Sequence, residues 1–522
     1  MKNLCYTLTL SVFIPFLAFS QAQIIRGPYL QKGTESSVVI SCRTDAAAAL
    51  TINYGTALNN LSQSVTSPSA INHEITISGL NANTRYYYEI TDGSATLTTA
   101  SAEYYFQTHP PTYSQELVRG WVLGDCGTAN SDQRAVRDAY YNYVGAEHTD
   151  LILFLGDNAY DSGTDGEYQA AVFENMYEDK LQNTISWSCL GNHDGYSASS
   201  SSQTGPYYDI FSLPTNGESG GVASGTEAYY SFNYGNIHFV CLDSYDSDRS
   251  ESGAMHTWLE NDLAAHSSDW LVAFWHHPPY TRGSHNSDLE PALIQMRNNF
   301  LPLLEDYGVD VVFCGHSHSY ERSHMIHDHY NISLFFSESS SADVGGGNGD
   351  GRVDGDGAYS KTISGNNAGV GTVYLTAGSS GKTSGGLLNH PAMFISLNEL
   401  GSCVFEAENN QMNVKFINDQ GNVSDYFTIN KDFAITTGIE SEAPKKFVVH
   451  PNPSTGVVTI KSQLPLSSKL DLSVFSMEGK LVHTEKWSNQ SQTLDLNELP
   501  AGSYVLKIMG LQEVYNETIV LH

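Results

Sequence analysis

Five apolar runs in the middle of the chain each stop abruptly on residues that can hold a metal, and this repetition limits the fold more than any other feature. The run through Trp121 ends at Gly124-Asp125-Cys126-Gly127, and Leu151 to Leu155 ends at Gly156-Asp157-Asn158-Ala159-Tyr160. Ile185 to Leu190 ends at Gly191-Asn192-His193-Asp194, Trp270 to Trp275 at His276-His277-Pro278-Pro279, and Val309 to Cys314 at Gly315-His316-Ser317-His318. Short apolar runs without polar alternation read as strands buried on both faces, and open α/β sheets place ligands at the carboxyl ends of such strands. One histidine after a strand is ordinary; five such endings in one domain point to one shared site. An Asp can bridge two cations, and a phenolate is a hard anionic ligand suited to a ferric ion.

Between these runs the periodicity predicts helices: Ser131 to Val144 with Ser131 as N-cap, Glu167 to Leu181, about Ala254 to Ala265, and Leu293 to Tyr307. Tyr229 to Asp243 reads as a hairpin turning at Gly235-Asn236, and strands near Thr372 to Thr376, Ser402 to Glu406 and Val414 to Ile417 are expected to complete the second sheet. The expected fold class is α/β, a two-sheet β-sandwich flanked by helices, over residues 116–430. From Ile24 to about Pro110, short alternating strands (Ser37 to Arg43, Leu50 to Tyr54, His73 to Ile77, Arg85 to Ile90, Glu103 to Gln107) predict a separate β-sandwich over 23–110. Its Leu80, Thr84 and Tyr86-Tyr87-Tyr88 resemble the turn and tyrosine strand of fibronectin type III modules.

The chain has 522 residues and, with Lys+Arg 25 against Asp+Glu 57, a formal charge of −32. That balance repels nucleic acid and anionic membrane surfaces. Any phosphate must be met by local positive charge, which bound metal cations supply economically. Residues 1–22, with Lys2, the apolar stretch Leu8 to Phe19 and Ser20-Gln21-Ala22, read as a secretory signal peptide. No later stretch is long and apolar enough to span a membrane. Cys42, Cys126, Cys189, Cys241, Cys314 and Cys403 lie mostly in strand-like runs and read as small buried thiols.

In motif order, GDxG, GDxxY, GNH followed by an acid, a histidine after an apolar strand, and GHxHxYER, residues Gly124 to Ser323 resemble the metallophosphoesterases and, among them, the purple acid phosphatases. The resemblance implies a dinuclear centre, Fe(III) with a divalent Zn, Fe or Mn. Asp125, Tyr160 and His318 match the ferric ligands, Asn192, His276 and His316 the divalent ligands, and Asp157 the bridge. It implies hydrolysis of small phosphorylated substrates by in-line attack of a metal-bound hydroxide. His193 matches the histidine that protonates the leaving group, with Asp194 as its orienting partner. His285 stands either as a substrate contact or as an ordinary loop histidine. Ala273 replaces the usual Val of the VxxH pattern, and Cys126 stands inside GDxG. His277 beside His276 leaves two candidates for one ligand, with alignment favouring His276.

Residues 337–367 are rich in Ser, Gly and Asp. Closely spaced Asp and Asn can bind calcium, but without a closing Glu a flexible loop at the rim of the site is the expectation. Residues 431–446 read as a linker. Val448 to Gly456 and Ala501-Gly502-Ser503-Tyr504 make 447–522 similar to the C-terminal sorting domain of type IX secretion substrates, implying that secretion machinery as a partner and a secreted or surface location. Together these features lead to a secreted phosphate-monoester hydrolase that scavenges phosphate. Its rivals are a phosphodiesterase or nucleotidase on the same centre, and a surface adhesin with a relict core.

Overall fold

The computed structural model describes residues 22–337, 347–362, 368–432, 447–462, 470–476, 480–487, 491–509 and 514–522. The signal segment, most of the expected linker and two stretches of the Gly/Asp-rich region lie outside the described residues. Contacts divide the chain into two units, Met1–Ala434 and Ile435–His522.

Two stacked sheets form the core of the first unit. Val118–Leu123, Leu151–Phe154 and Ile185–Ser188 run parallel at the middle of a ten-stranded sheet, with Leu151 level with Gly120 and Ile185. Ile237–Cys241, Trp270–Trp275, Val311–Cys314 and Thr372–Ala377 run parallel in a seven-stranded sheet. Aromatic side chains interdigitate between the sheets: Trp187 stacks on Phe232 with centroids 3.7 Å apart, and Phe405 meets Phe239 and Phe313 at 5.9 and 6.2 Å. Each such side chain contributes on the order of 1.5–3 kcal/mol through burial, so the sandwich holds its strand ends rigidly.

Helices cover the outer faces. Ser131–Val144 packs Tyr140 on Trp121 at 4.1 Å, and Ala254–Ala265 buries Met255, Leu259 and Leu263 with Val240, Leu271 and Val312 of the seven-stranded sheet. The cap of the first helix is Asn130 rather than the expected Ser131, its side chain accepting from the amides of Asp132 and Gln133 at 2.9 and 3.0 Å. Ser131 is already helical. The helix expected over Glu167 to Leu181 is interrupted: Glu174 and Asn175 leave helical backbone, Asn175 at φ 52°. The hairpin forms as Tyr230–Tyr234 and Ile237–Cys241, with Phe232 opposite Phe239.

The three late strands do not share one sheet. Thr372–Ala377 joins the seven-stranded sheet, whereas Gly401–Glu408 pairs with Val118–Leu123, Val404 opposite Trp121, and carries Gln411–Asn418 into the ten-stranded one. The N-terminal strands are also shared. Ile24–Gln31 pairs in parallel with Ile185–Ser188, Leu30 level with Ile185, so Ile24–Gln31, Ser37–Ala48 and Ala70–Ser78 extend the ten-stranded sheet without a break. Thr51–Gly55, Arg85–Thr91 and their neighbours form a five-stranded sheet of their own, where the Tyr86 hydroxyl accepts from the Asn81 amide at 3.0 Å. All six described cysteines are buried and free.

The second unit consists of two antiparallel sheets, one of Phe447–His450, Val457–Ser462 and Ser491–Asp495, the other of Leu470–Ser476, Leu481–Trp487, Gly502–Met509 and Val514–Leu521. Val458, Ile460, Leu472, Val474, Trp487 and Leu506 fill its core. Among the described residues no helix is long and apolar enough to cross a membrane.

Candidate metal centre

The five strand ends meet where the two sheets come together. Asp125, Asp157 and Asn192 follow neighbouring strands of the ten-stranded sheet; His276, His316 and His318 follow neighbouring strands of the seven-stranded one. Crossing hydrogen bonds tie the ends: His276 Nδ1 donates to the Leu155 carbonyl at 2.8 Å, and the Ser380 amide donates to the Gly124 carbonyl at 3.1 Å. Asp125, Asp157 and His316 all hold left-handed backbone, φ 54°, 52° and 67°. Such conformations cost about 1–3 kcal/mol for non-glycine residues and persist where the surroundings over-determine them, most often at functional sites. A Cβ at Gly156 would lie 2.7 Å from His276 Nδ1, and one at Gly315 would lie 2.5 Å from Asp125 Oδ2, so glycine is what lets the strand ends close.

The side chains fall into two sets joined by Asp157. On one side the Tyr160 hydroxyl lies 3.0 Å from both Asp125 Oδ1 and Asp157 Oδ2, and 3.3 Å from His318 Nε2, which is itself 3.4 Å from Asp125 Oδ1. On the other side Asn192 Oδ1 lies 3.0 Å from both His276 Nε2 and His316 Nδ1; these nitrogens are 3.2 Å apart, and Asp157 Oδ1 is 3.5 Å from His276 Nε2. One carboxylate oxygen of Asp157 thus serves each set. His276, His277 and His316 also cluster closely enough to hold an ion. His277 Nδ1 is bonded to Ser244 Oγ at 2.9 Å, however, while His276 presents Nε2 to Asp157 and Asn192.

The donor set suits a pair of hard cations. One phenol proton cannot satisfy three acceptors around Tyr160, and two imidazole nitrogens facing one amide oxygen leave lone pairs opposed. Burial, with Asp125 and Asp157 alongside, pushes the Tyr160 phenol well above its usual range, so a cation is needed to make it a phenolate. Burial drives His316 down to about 4, which leaves it neutral with a lone pair to give. Burial opposes the Asp125 charge, yet the His318 hydrogen bond and the nearby His276 and His316 hold its pKa at about 2.

His193 lies beside this cluster. Its Nδ1 donates to the Asp161 carbonyl at 2.6 Å, its ring packs edge-on to Tyr160 at 4.6 Å, and its Nε2 is 4.0 Å from Asp157 Oδ2. Asp194 does not orient it. That carboxylate is buried and accepts from the Gly191 amide at 2.9 Å, the Asn158 amide at 3.1 Å and the Tyr168 hydroxyl at 2.5 Å. It therefore braces the two loops that carry Asp157 and Asn192, while Asp161 supplies the orientation expected of Asp194. His285 lies with its ring centroid 3.7 Å from that of His316, the two rings tilted by 31°, and its Nδ1 is 2.9 Å from Glu290, which lies 3.5 Å from His316 Nε2. Glu290 and Lys382, whose ammonium lies 3.7 Å from the Tyr160 ring centroid, went unrecognised in the sequence. Glu290 follows no apolar run, and Lys382 stands several residues past the end of one, so no tight motif marks either.

Three stretches of the chain match known families. Residues 118–320 match the calcineurin-like phosphoesterases, 27–108 the purple acid phosphatase N-terminal domain, and 448–522 the secretion system C-terminal sorting domain. Purple acid phosphatase 15 of Arabidopsis thaliana is 32% identical over 286 residues, covering 50% of this chain and 51% of the relative. Purple acid phosphatase of Glycine max is 26% identical, covering 50% and 54%. The chain thus spans about half the length of these relatives. The yellow lupin purple acid phosphatase PPD1 shares the fold at TM-score 0.56 and 17% identity, covering 78% of this chain and 75% of that one. PhoD does so at 0.55 and 15%, covering 79% and 91%. The sorting domain marks a secreted or cell-surface protein. Sequence motifs and family matches together make this chain similar to the calcineurin-like phosphoesterases and the purple acid phosphatases over its first unit, and to the secretion sorting domains over its second.

Proposed function

We propose that the protein hydrolyses phosphate monoesters outside the cell at a dinuclear centre and so releases phosphate for uptake. The observation that carries this reading is the position of Asp157, with one oxygen facing Asp125, Tyr160 and His318 and the other facing Asn192, His276 and His316. When bound, a metal pair supplies the positive charge that clamps a phosphate and activates water, which the acidic chain cannot supply from Lys and Arg.

The ligand roles are divided as the two sets suggest: Asp125, Tyr160 and His318 hold a ferric ion, Asn192, His276 and His316 a divalent Zn, Fe or Mn ion, and Asp157 both. His193 holds a proton on Nε2 for the departing alkoxide, its ring fixed by the Asp161 carbonyl. His285, oriented by Glu290, lines the wall against the divalent set and contacts the substrate. Asp194 keeps the Asp157 and Asn192 loops in register.

The test pairs metal analysis with turnover of a phenyl phosphate monoester and of its bis-ester. About two metals per chain with monoester turnover dominant supports the reading. Dominant bis-ester turnover moves the protein to the diesterases, and a protein that binds no metal overturns the enzyme altogether.

A further inference from the structure

Lys382 is a cation whose partner is an aromatic face. It follows Thr372–Ala377 in a loop clamped to the metal centre on both sides: the Gly381 carbonyl accepts from Thr128 at 3.2 Å, and Ser384 donates its amide to the His318 carbonyl at 3.1 Å. Ser384 Oγ also lies 2.8 Å from His318 Nδ1. The loop is therefore fixed to a ligand of the Tyr160 set. Between the clamps the half-buried ammonium of Lys382 lies 3.7 Å from the Tyr160 ring centroid. Among the described residues no carboxylate stands within ion-pair distance of it.

We propose that Lys382 is a positioning residue that tunes the Tyr160 phenolate: its charge over the ring stabilises the ligand electrons and thereby sets the energy and redox poise of the ferric ion. The inference rests on the ferric assignment made under Proposed function. A cation on a π face attracts its electrons, and more strongly when the ring carries a full negative charge. Lowering the energy of the donor electrons widens the gap across which phenolate-to-iron charge transfer occurs. It also favours the reduced ion, because a fixed positive charge near iron opposes the higher oxidation state.

The experiment compares the visible absorption and the Fe(III)/Fe(II) potential of the iron-loaded full-length protein with those of Lys382→Met and Lys382→Arg. Lys382→Met is expected to move the charge-transfer band to longer wavelength and the potential to a lower value, with metal content unchanged; Lys382→Arg is expected to restore both. A wild-type band that stays in place in Lys382→Met overturns the role of Lys382 while leaving the ferric site intact. The same result with a raised KM would make Lys382 a substrate contact instead. A wild-type protein loaded with iron but lacking the band overturns the ferric assignment and this inference with it. If Lys382→Met loses metal, Lys382→Gln, of closer polarity, is measured in the same way, and metal loss there too overturns the tuning role in favour of a structural one.

Discussion

Asp157 and Asp310 are both buried carboxylates at strand ends, and the chain treats them in opposite ways. Asp310, at the amino end of Val311–Cys314, is 2.9 Å from the Lys361 ammonium and 2.7 Å from that of Lys431, and accepts from the Leu271 amide at 2.8 Å. At the carboxyl ends Asp157 and Asp125 have only imidazoles as ion-pair partners among the described residues. Where the fold must be held, the chain provides permanent countercharge. Around Asp157 it provides lone-pair donors instead, as the proposed metal pair would require.

The largest expected effect separates the two directly. Asp157→Asn should lose both metals and nearly all turnover, more than the ~10²–10⁴-fold set by one proton donor. The metal-free variant should nevertheless be no less stable to urea than metal-free wild type, since a poorly compensated charge has gone. A large loss of apo stability would show that Asp157 is a fold residue like Asp310.

His193→Ala should keep both metals and lose about 10²–10⁴-fold in kcat with alkyl leaving groups, and far less with nitrophenyl ones. Equal losses on both substrates would remove it from proton transfer. Asp310→Asn should destabilise the protein by about 3–5 kcal/mol, because two ammonium groups lose their buried partner, while turnover per folded molecule stays unchanged.

Glu321 is an intermediate case, a buried carboxylate that accepts from the Arg282 amide at 3.2 Å. Burial pushes its pKa from 4.5 up to about 7. The folded state therefore keeps a proton that the unfolded chain releases; this stabilisation is full below pH 4.5 and lost as the pH rises through about 7. Urea midpoints of wild type should carry that decline, and those of Glu321→Gln should lack it. Parallel profiles would mean that Glu321 is solvated in the folded protein.

The strand-end motifs were legible because each is a local pattern: an apolar run and then a donor, with a glycine that permits close approach between them at every ending but Trp275-His276. Trp270–Trp275, Ser131–Val144 and Ala254–Ala265 fall where the sequence places them. The helix over Glu167 to Leu181 failed at Glu174 and Asn175, where nothing as strong as Pro or Gly announces a break. Asp194 was misassigned because adjacency to His193 says nothing about direction: its carboxylate turns to Gly191, Asn158 and Tyr168.

By itself, the sequence determined which residues offer donors of the metal-binding type, the strands that carry them and the shortage of Lys and Arg. These depend on composition and on short-range periodicity. Only the tertiary structure decided which oxygen of Asp157 faces Tyr160 and which faces His276, that the N-terminal strands extend the ten-stranded sheet through Leu30 and Ile185, and that Glu290 and Lys382 stand beside His316 and Tyr160. Strand order and the meeting of two sheets bring together residues far apart along the chain, and no local pattern encodes those distances.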